Sequence, residues 1–390
     1  MNYNEAAVER HAGWRGKIEV VSRVALETKE DLSVAYTPGV AEPCRRIHKN
    51  RDDVFRYTRR WNLVAVVTDG SAVLGLGNIG AEAAMPVMEG KAVLFKTFGD
   101  VDAFPVCLAT QETEEIVTVV KAIAPTFGGI NLEDISAPRC FEIEERLIEA
   151  LDIPVFHDDQ HGTAVVVLGA LINALKITGR GFEEVRVVIN GCGAAGVAVM
   201  KLLRELGTRQ VVMLDSKGIV CAGRKDLNAA KRAIVAETNP EGLRGGLEEA
   251  MRGADVFIGV SVKDVVTAAM VRSMAKDAVV LALANPDPEI VPEAAKGAGA
   301  RIVGTGRSDY ANQVNNVLGF PGIFRGALDV RARRIDTGMK IAAARALAGC
   351  VGPEELREEY ILPSPLDRGV ARRVAEAVAA AARESGAARQ

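Results

Sequence analysis

"VRVVINGCGAAGVAVMKLLRELGTRQVVMLD", residues 185–215, decides the fold. A valine-rich run up to Asn190 reads as a strand, "GCGAAG" turns it into a segment of helical spacing, and "QVVMLD" is a second apolar run that stops on Asp215. Gly-x-Gly-x-x-Gly alone is a weak signal. Set between a strand and a helix, with an acid ending the next strand, it is the fingerprint of a dinucleotide-binding βαβ unit. Glycine serves the tight turn at Gly191, the approach of backbone to pyrophosphate at Gly193 and close helix–strand packing at Gly196. The free amides of Cys192, Gly193, Ala194 and Ala195 would face the phosphates. Asp215 stands where a carboxylate accepts from ribose hydroxyls and repels a 2′-phosphate, which favours NAD. Lys217 beside it offers the counter-charge that NADP needs, so NADP stays open.

Downstream, "ADVFIGV", "AVVLALANP" and "RIVGTG" alternate with helical segments, which implies a parallel sheet covered on both faces. Upstream lies a well-patterned helix in "HGTAVVVLGALINALKITG". Before it, "LVAVVTDG", "AVLGLG", "KAVLFKTF" and "AFPVCLA" alternate with Gly and Pro as short strands would, and "TEEIVTVVKAIAPTF" and "PRCFEIEERLIEALD" are helical. The expected architecture is an N-terminal α/β substrate domain over residues 1–158 and a Rossmann-type, doubly wound parallel-sheet domain over 159–390 with C-terminal helices. The tail "VARRVAEAVAAAARESGAARQ" reads as a surface helix with a frayed end. A second glycine pattern, "GLGNIG" at 75–80, lacks the strand–helix–strand frame and reads as a packing turn.

With 390 residues, 48% hydrophobic and 25% charged, the chain can fill two cores. A net charge of −3 with both signs interspersed leaves no footprint for nucleic acid. Six cysteines without a Cys-x-x-Cys pair speak against structural zinc and a disulfide framework, and fit a reducing cytoplasm. The N-terminus lacks an apolar signal core, and no run approaches the roughly 18 apolar residues of a membrane span.

Two further short runs end in acids: "NLEDI" in Glu133 and Asp134, "FHDDQ" in Asp158 and Asp159. Carboxylates brought together repel unless a cation neutralises them, and oxygen donors select Mg²⁺ or Mn²⁺ over zinc. His157 and His161 raise the zinc alternative, but that motif needs both imidazoles on one helix face, and here a helix is only beginning at Gly162 and Thr163. Hydrogen-bonding roles are expected for both.

"LSVAYTPGVAEPC", "TDGSAVLGLGNIG", "MPVMEGKAVLFKTF", "NLEDI", "FHDDQHGTA", "GCGAAG", "LALANPDPEI" and "GRSDYANQVNNVLGFPGIFRGAL", in this order, make the chain resemble the prokaryotic malic enzymes of the short type, from about Gly16 to Leu328. The resemblance implies oxidative decarboxylation of L-malate to pyruvate and CO₂ with NAD or NADP and a divalent cation, in a homodimer or larger assembly. It implies Glu133, Asp134 and Asp159 as metal ligands, Lys91 of "EGK" as base, Tyr36 of "AYTPGV" as acid, and Asp158 as a group that orients or relays protons. Asn285 of "LANP" and Asn315 or Asn316 of "QVNNV" match positions lining the substrate and nicotinamide site. Large eukaryotic members carry an arginine that grips a malate carboxylate in the segment aligned with "TDGSAVLG". This chain has Ser71, Ala72 and Val73 there.

Overall fold

The computed structural model describes residues 3–389, Leu74 by its backbone alone. Among them lie two sheets. The first holds β1 (Leu63–Thr68), β2 (Asp102–Cys107), β3 (Gly129–Leu132) and β4 (Val155–His157), in the order β2-β1-β3-β4 with every pair parallel. The second holds β5 (Arg186–Asn190), β6 (Gln210–Asp215), β7 (Gly218–Ile219), β8 (Val256–Gly259), β9 (Val279–Ala282) and β10 (Ile302–Thr305), in the order β10-β9-β8-β5-β6-β7. Only the short β6–β7 hairpin is antiparallel. The strands are continuous Val/Ile/Leu runs because helices cover both faces. Strand order reverses at β5, between β6 and β8, so the Gly191–Gly196 loop leaves from the switch point where such sheets bind ligands.

Five expectations need correction. "KAVLFKTF" is the second half of a helix, Ala81–Gly99, whose buried Ala84, Met88, Lys91, Ala92 and Phe95 recur at helical spacing. "AVLGLG" forms a 3₁₀ turn at Leu74–Leu76 instead of a strand, and the packing role of its glycines holds: a Cβ on Gly75 would lie 2.7 Å from the Asn285 carbonyl oxygen. The helix after β4 starts at Asp158, with no intervening loop, and runs to Thr178. That helix is long and apolar enough to cross a membrane, contrary to the expected lack of such a run, yet 67% of its apolar window is buried inside the protein. It packs on the helices Ala194–Glu205 and Thr337–Ala348, and its Asn173 amide donates to the carbonyls of Ala348 and Ile361, each at 2.9 Å.

The tail, fifth, is neither superficial nor frayed. The helix Arg368–Glu384 buries Val370, Ala371, Val374, Ala375, Val378, Ala379 and Ala382. It lies so close to the helix Phe320–Asp329 that a Cβ on Gly326 would stand 2.4 Å from the Ala375 carbonyl oxygen. Beyond it, the Arg389 amide donates to the Val330 carbonyl at 2.9 Å, and the Arg389 guanidinium meets the Asp152 carboxylate.

These C-terminal helices reach back onto the first sheet. Phe324, fully buried, packs edge-on to Phe95 and Phe156 with ring centroids 5.2 and 5.7 Å away, and Phe320 meets Phe95 at 4.7 Å. One apolar cluster therefore runs from Val64 and Val66 of β1 through the Asp158–Thr178 helix to Val187 and Ile189 of β5. Phe324→Ala is expected to cost about 3–5 kcal/mol. Denaturant unfolding measures it, and a loss below about 1 kcal/mol would show that the aromatic cluster does not join the two ends of the chain.

Candidate active site

Register sets up the site. β3 and β4 pair in parallel with Leu132 opposite His157, so the residues that follow each strand emerge side by side at one sheet edge. Glu133 and Asp134 come from one, Asp158 and Asp159 from the other. The carboxylate oxygens of Glu133, Asp134 and Asp159 lie within 4.8 Å of one another, and no histidine or cysteine joins this cluster among the described residues. Asp159 Oδ2 also accepts from the Asp134 amide at 2.8 Å, tying the two segments, and Asn131 donates to Glu133 Oε2 at 2.8 Å. Asp134 is held at φ +54°, a left-handed conformation that an acid tolerates better than most residues.

Lys91, on the third turn of the Ala81–Gly99 helix, reaches into this group. Its Nζ lies 2.6 Å from Asp158 Oδ2 and 2.9 Å from Glu133 Oε1, and 4.3 Å from the centre of the Phe320 ring. Burial opposes its charge, but the facing carboxylates of Asp158 and Glu133 outweigh burial and hold the ammonium protonated well above its usual range. The lowered lysine pKa expected of a base is thus not what the protein atoms alone provide. Burial raises Asp158 to about 7 against the opposing pull of Lys91. Glu133 and Asp159 move upward as well, through burial and the repulsion of neighbouring acids. The clustered oxygens of Glu133, Asp134 and Asp159, hard donors of which Glu133 and Asp159 are destabilised as anions, fit a divalent ion such as Mg²⁺ or Mn²⁺.

The two histidines flank this chemistry without entering it. Glu144, on the helix Arg139–Ala150, accepts from the His157 amide at 2.8 Å and from the Gln160 amide group at 3.2 Å, and bonds His161 Nε2 at 2.9 Å. Burial would raise Glu144, but His161 above all pulls it to about 2. His157 is buried completely and pushed down to about 4, so its ring is neutral. Sequence reasoning passed over Glu144, whose partners stand 13 to 17 residues away and leave no local spacing signal.

A cleft of about 990 Å³ opens over the cluster. Lys91, Glu133, Asp134 and Asp159 line it, with Gly193, Ala194 and Ala195 of the glycine loop and Asn285, Asn315 and Asn316 facing them. Asp158 lies just beneath, its Oδ2 taking a hydrogen bond from the Asn316 amide as well as from Lys91. Asn315 turns instead to its own backbone, accepting from the Val317 amide at 3.0 Å. The lining lysines are Lys17 and Lys91. Arg139, close to the segment where an arginine was missed, is engaged with Asp69 at 2.8 Å and Ser71 at 3.0 Å and does not line the cleft. Tyr36 does not line it either and is 68% exposed.

A second cavity, about 750 Å³, continues past Gly191, Cys192 and Gly193 to Asp215. Gly191 takes φ +131°, and a Cβ there would stand 2.5 Å from the Val260 carbonyl oxygen. A Cβ on Gly196 would lie 1.9 Å from the Gly191 carbonyl oxygen, whereas one on Gly193 would meet nothing within 4 Å. Turn, packing and open approach therefore fall on the three glycines as the motif demands. Asp215 lies in an ionic cluster with Arg224 and Lys231, neither of them singled out from sequence. Burial would raise Asp215, but hydrogen bonds from Arg224 and Lys231 draw it to about 2.

Two family profiles cover this geometry: malic enzyme, N-terminal domain, over residues 15–116 and 109–148, and malic enzyme, NAD binding domain, over 160–383. The chain is 56% identical over 390 residues to a bifunctional malic/malolactic enzyme of Bacillus subtilis (strain 168), covering 100% of this chain and 95% of that protein. It is 54% identical over 390 residues to a NAD-dependent malic enzyme of Geobacillus stearothermophilus, covering 100% of this chain and 81% of that one. A crystal structure of malic enzyme from Pyrococcus horikoshii Ot3 superposes with a TM-score of 0.95 at 51% identity, covering 98% of this chain and 92% of that chain. The carboxylate cluster, its buried lysine and the glycine loop across the cleft are thus those of a chain that belongs to the malic enzyme family.

Proposed function

We propose that this chain catalyses the oxidative decarboxylation of L-malate to pyruvate and CO₂, with reduction of a nicotinamide dinucleotide and dependence on Mg²⁺ or Mn²⁺. One observation carries this reading: Lys91 and three clustered carboxylates face the dinucleotide loop across a single cleft. Glu133, Asp134 and Asp159 would hold the ion, which when bound supplies Lewis acidity to the C2 oxygen.

The rest of the chemistry falls to the chain's own groups. A proton leaving the C2 hydroxyl needs an acceptor, and Lys91 can accept only after passing its own proton on. Asp158, 2.6 Å away and fixed by Asn316, is placed to take it. Gly191–Gly196 would seat the dinucleotide, which when bound would supply the hydride acceptor, and Asn285 and Asn315 line the cleft on that side. Lys17, whose Nζ donates to the Pro86 carbonyl at 2.6 Å, is the lining cation left to meet a malate carboxylate.

The oxaloacetate so formed loses CO₂ from C3, the electrons of the broken bond passing to the C2 oxygen; the enolpyruvate left needs a proton at C3, and Tyr36 is assigned that step in a homodimer. The helices Tyr3–Trp14, Lys29–Ala35 and Ala41–Lys49 bury no residue, and Tyr3, Val20, Val21, Val24, Val34 and Tyr36 are all at least 60% exposed. An apolar arm this open marks a protein interface. A second copy that covers it brings Tyr36 toward a cleft it does not line in its own subunit.

Lys91→Ala is expected to lower malate oxidation by about 100-fold or more while calorimetry still detects dinucleotide binding; wild-type turnover would remove Lys91 from the mechanism. Mn²⁺ should raise the thermal midpoint of the wild-type protein but not of Asp134→Asn, and EDTA should reverse the gain. Equal shifts in both proteins would place the ion elsewhere. Inactive Tyr36→Phe and Lys91→Ala proteins, mixed and allowed to exchange subunits, should recover about a quarter of wild-type activity, because half the dimers then hold one intact site of two. No recovery despite proven exchange would return Tyr36 to its own subunit or out of the reaction.

A further inference from the structure

Glu289 closes the stretch "NPDPE" that begins at Asn285, and it is fully buried. It presses so closely on β8 that a Cβ on Gly259 would lie 2.3 Å from its carboxyl carbon. Oε1 accepts from the Ser261 amide at 2.9 Å and from the Ser261 hydroxyl at 3.2 Å, and Oε2 accepts from the Ala284 amide at 3.0 Å. The same hydroxyl accepts from Asn190 Nδ2 at 2.9 Å, which leaves its proton for Glu289. Donors meet both oxygens, and a backbone N–H cannot accept in return, so the arrangement is built for a carboxylate. Burial pushes Glu289 up; what opposes burial is these hydrogen bonds, with no cation paired to it among the described residues.

The wall in front of this charge is thin. Ser261 and Ala284, whose amides bind Glu289, line the catalytic cleft next to Asn285. Both peptide bonds are trans, so each aims its carbonyl away from the side to which it aims its N–H. The Val260 carbonyl oxygen comes within 2.5 Å of the place a Cβ on Gly191 would take, and the Leu283 carbonyl oxygen within 3.6 Å of the corresponding place on Gly306, a lining residue. Two peptide dipoles therefore turn their negative ends toward the dinucleotide side, and the buried anion behind them adds to the same sign. Inside the protein such a charge is screened far less than in water.

A dinucleotide seated on Gly191–Gly196, with its adenosine end in the cavity at Asp215, has its nicotinamide end in this cleft. The oxidised ring carries a positive charge, which disappears when it takes up hydride. We propose that Glu289 is a fixed negative charge that, through the peptides of Ser261 and Ala284, makes the cleft hold the oxidised, cationic ring in preference to the reduced, neutral one. The proposal rests on the reading of the cleft as a dinucleotide-dependent malic enzyme site and deepens it, since it adds a bias between the two redox states of the cofactor. Glu289 touches neither substrate nor ring. It is a positioning residue that acts through the wall.

The test is isothermal titration of the full chain, without malate, with the oxidised and reduced forms of NAD and of NADP. ADP-ribose and its 2′-phosphate serve as controls that lack the ring. Wild-type, Glu289→Gln and Glu289→Asp proteins are compared, each first checked for wild-type circular dichroism. The wild type should bind the oxidised form of its preferred dinucleotide at least as tightly as the reduced form. Glu289→Gln keeps the shape and removes the charge, so it should lower the oxidised-to-reduced affinity ratio by roughly tenfold and leave the ringless control unchanged. Glu289→Asp should keep most of the ratio. An unchanged ratio in Glu289→Gln, or equal weakening of both redox forms and the control, overturns the proposal and leaves Glu289 a structural tie. A wild type that binds the reduced form tenfold or more tightly than the oxidised one overturns it as well, even if Glu289→Gln fails to fold. Binding of neither dinucleotide overturns the reading of the cleft, and the proposal with it.

Discussion

Everything in the cleft depends on an imbalance of charge around one ammonium group. Parallel pairing of β3 with β4 delivers four acids to a single edge, and Lys91 reaches in among them. Four carboxylates against one ammonium cannot all stay ionised under an apolar cover, which is why burial moves Asp158, Glu133 and Asp159 upward together. A divalent ion would relieve that demand, and so would a proton. A metal bound there would compete with protonation for the same oxygens.

The architecture supports this imbalance by holding the acids where they cannot relax apart. Glu144 gathers the His157 amide, Gln160 and His161 around one carboxylate, and thereby fixes the junction from which Asp158 and Asp159 project. On the opposite wall, buried Glu289 accepts from the Ser261 and Ala284 amides at 2.9 and 3.0 Å and joins the loops that follow β8 and β9. Both knots are acids fully paired inside the protein, and they brace the acid cluster from either side.

How much of this was legible depended on the range of the interaction. Runs such as Val187–Ile189 and Val279–Leu281 announce strands because parallel sheets need apolar residues on both faces, and the glycine loop carries its own spacing. The acid pairs were visible because each follows a short strand. Misread segments were those whose partners are remote. "KAVLFKTF" looked like a strand although Ala84, Met88, Lys91 and Phe95 already had helical spacing, and the tail looked superficial because its buried face is mostly alanine. The spacing of Gly322 and Gly326 was the overlooked signal, since two glycines four residues apart on a helix invite close packing by another. Glu144, Arg224 and Lys231 had no such signal, because only the folded chain brings them to His161 and Asp215.

The return of the C-terminal helices to the first sheet has a consequence for synthesis. Phe95 and Phe156 belong to the segment made first, yet their packing partners Phe320 and Phe324 are made more than 160 residues later. At about 5–20 residues per second, that leaves the inner face of the first sheet uncovered for roughly ten to thirty seconds on the ribosome. Through that interval the nascent chain carries an exposed aromatic surface that nothing upstream can close. The mature core therefore forms only when the last helices emerge.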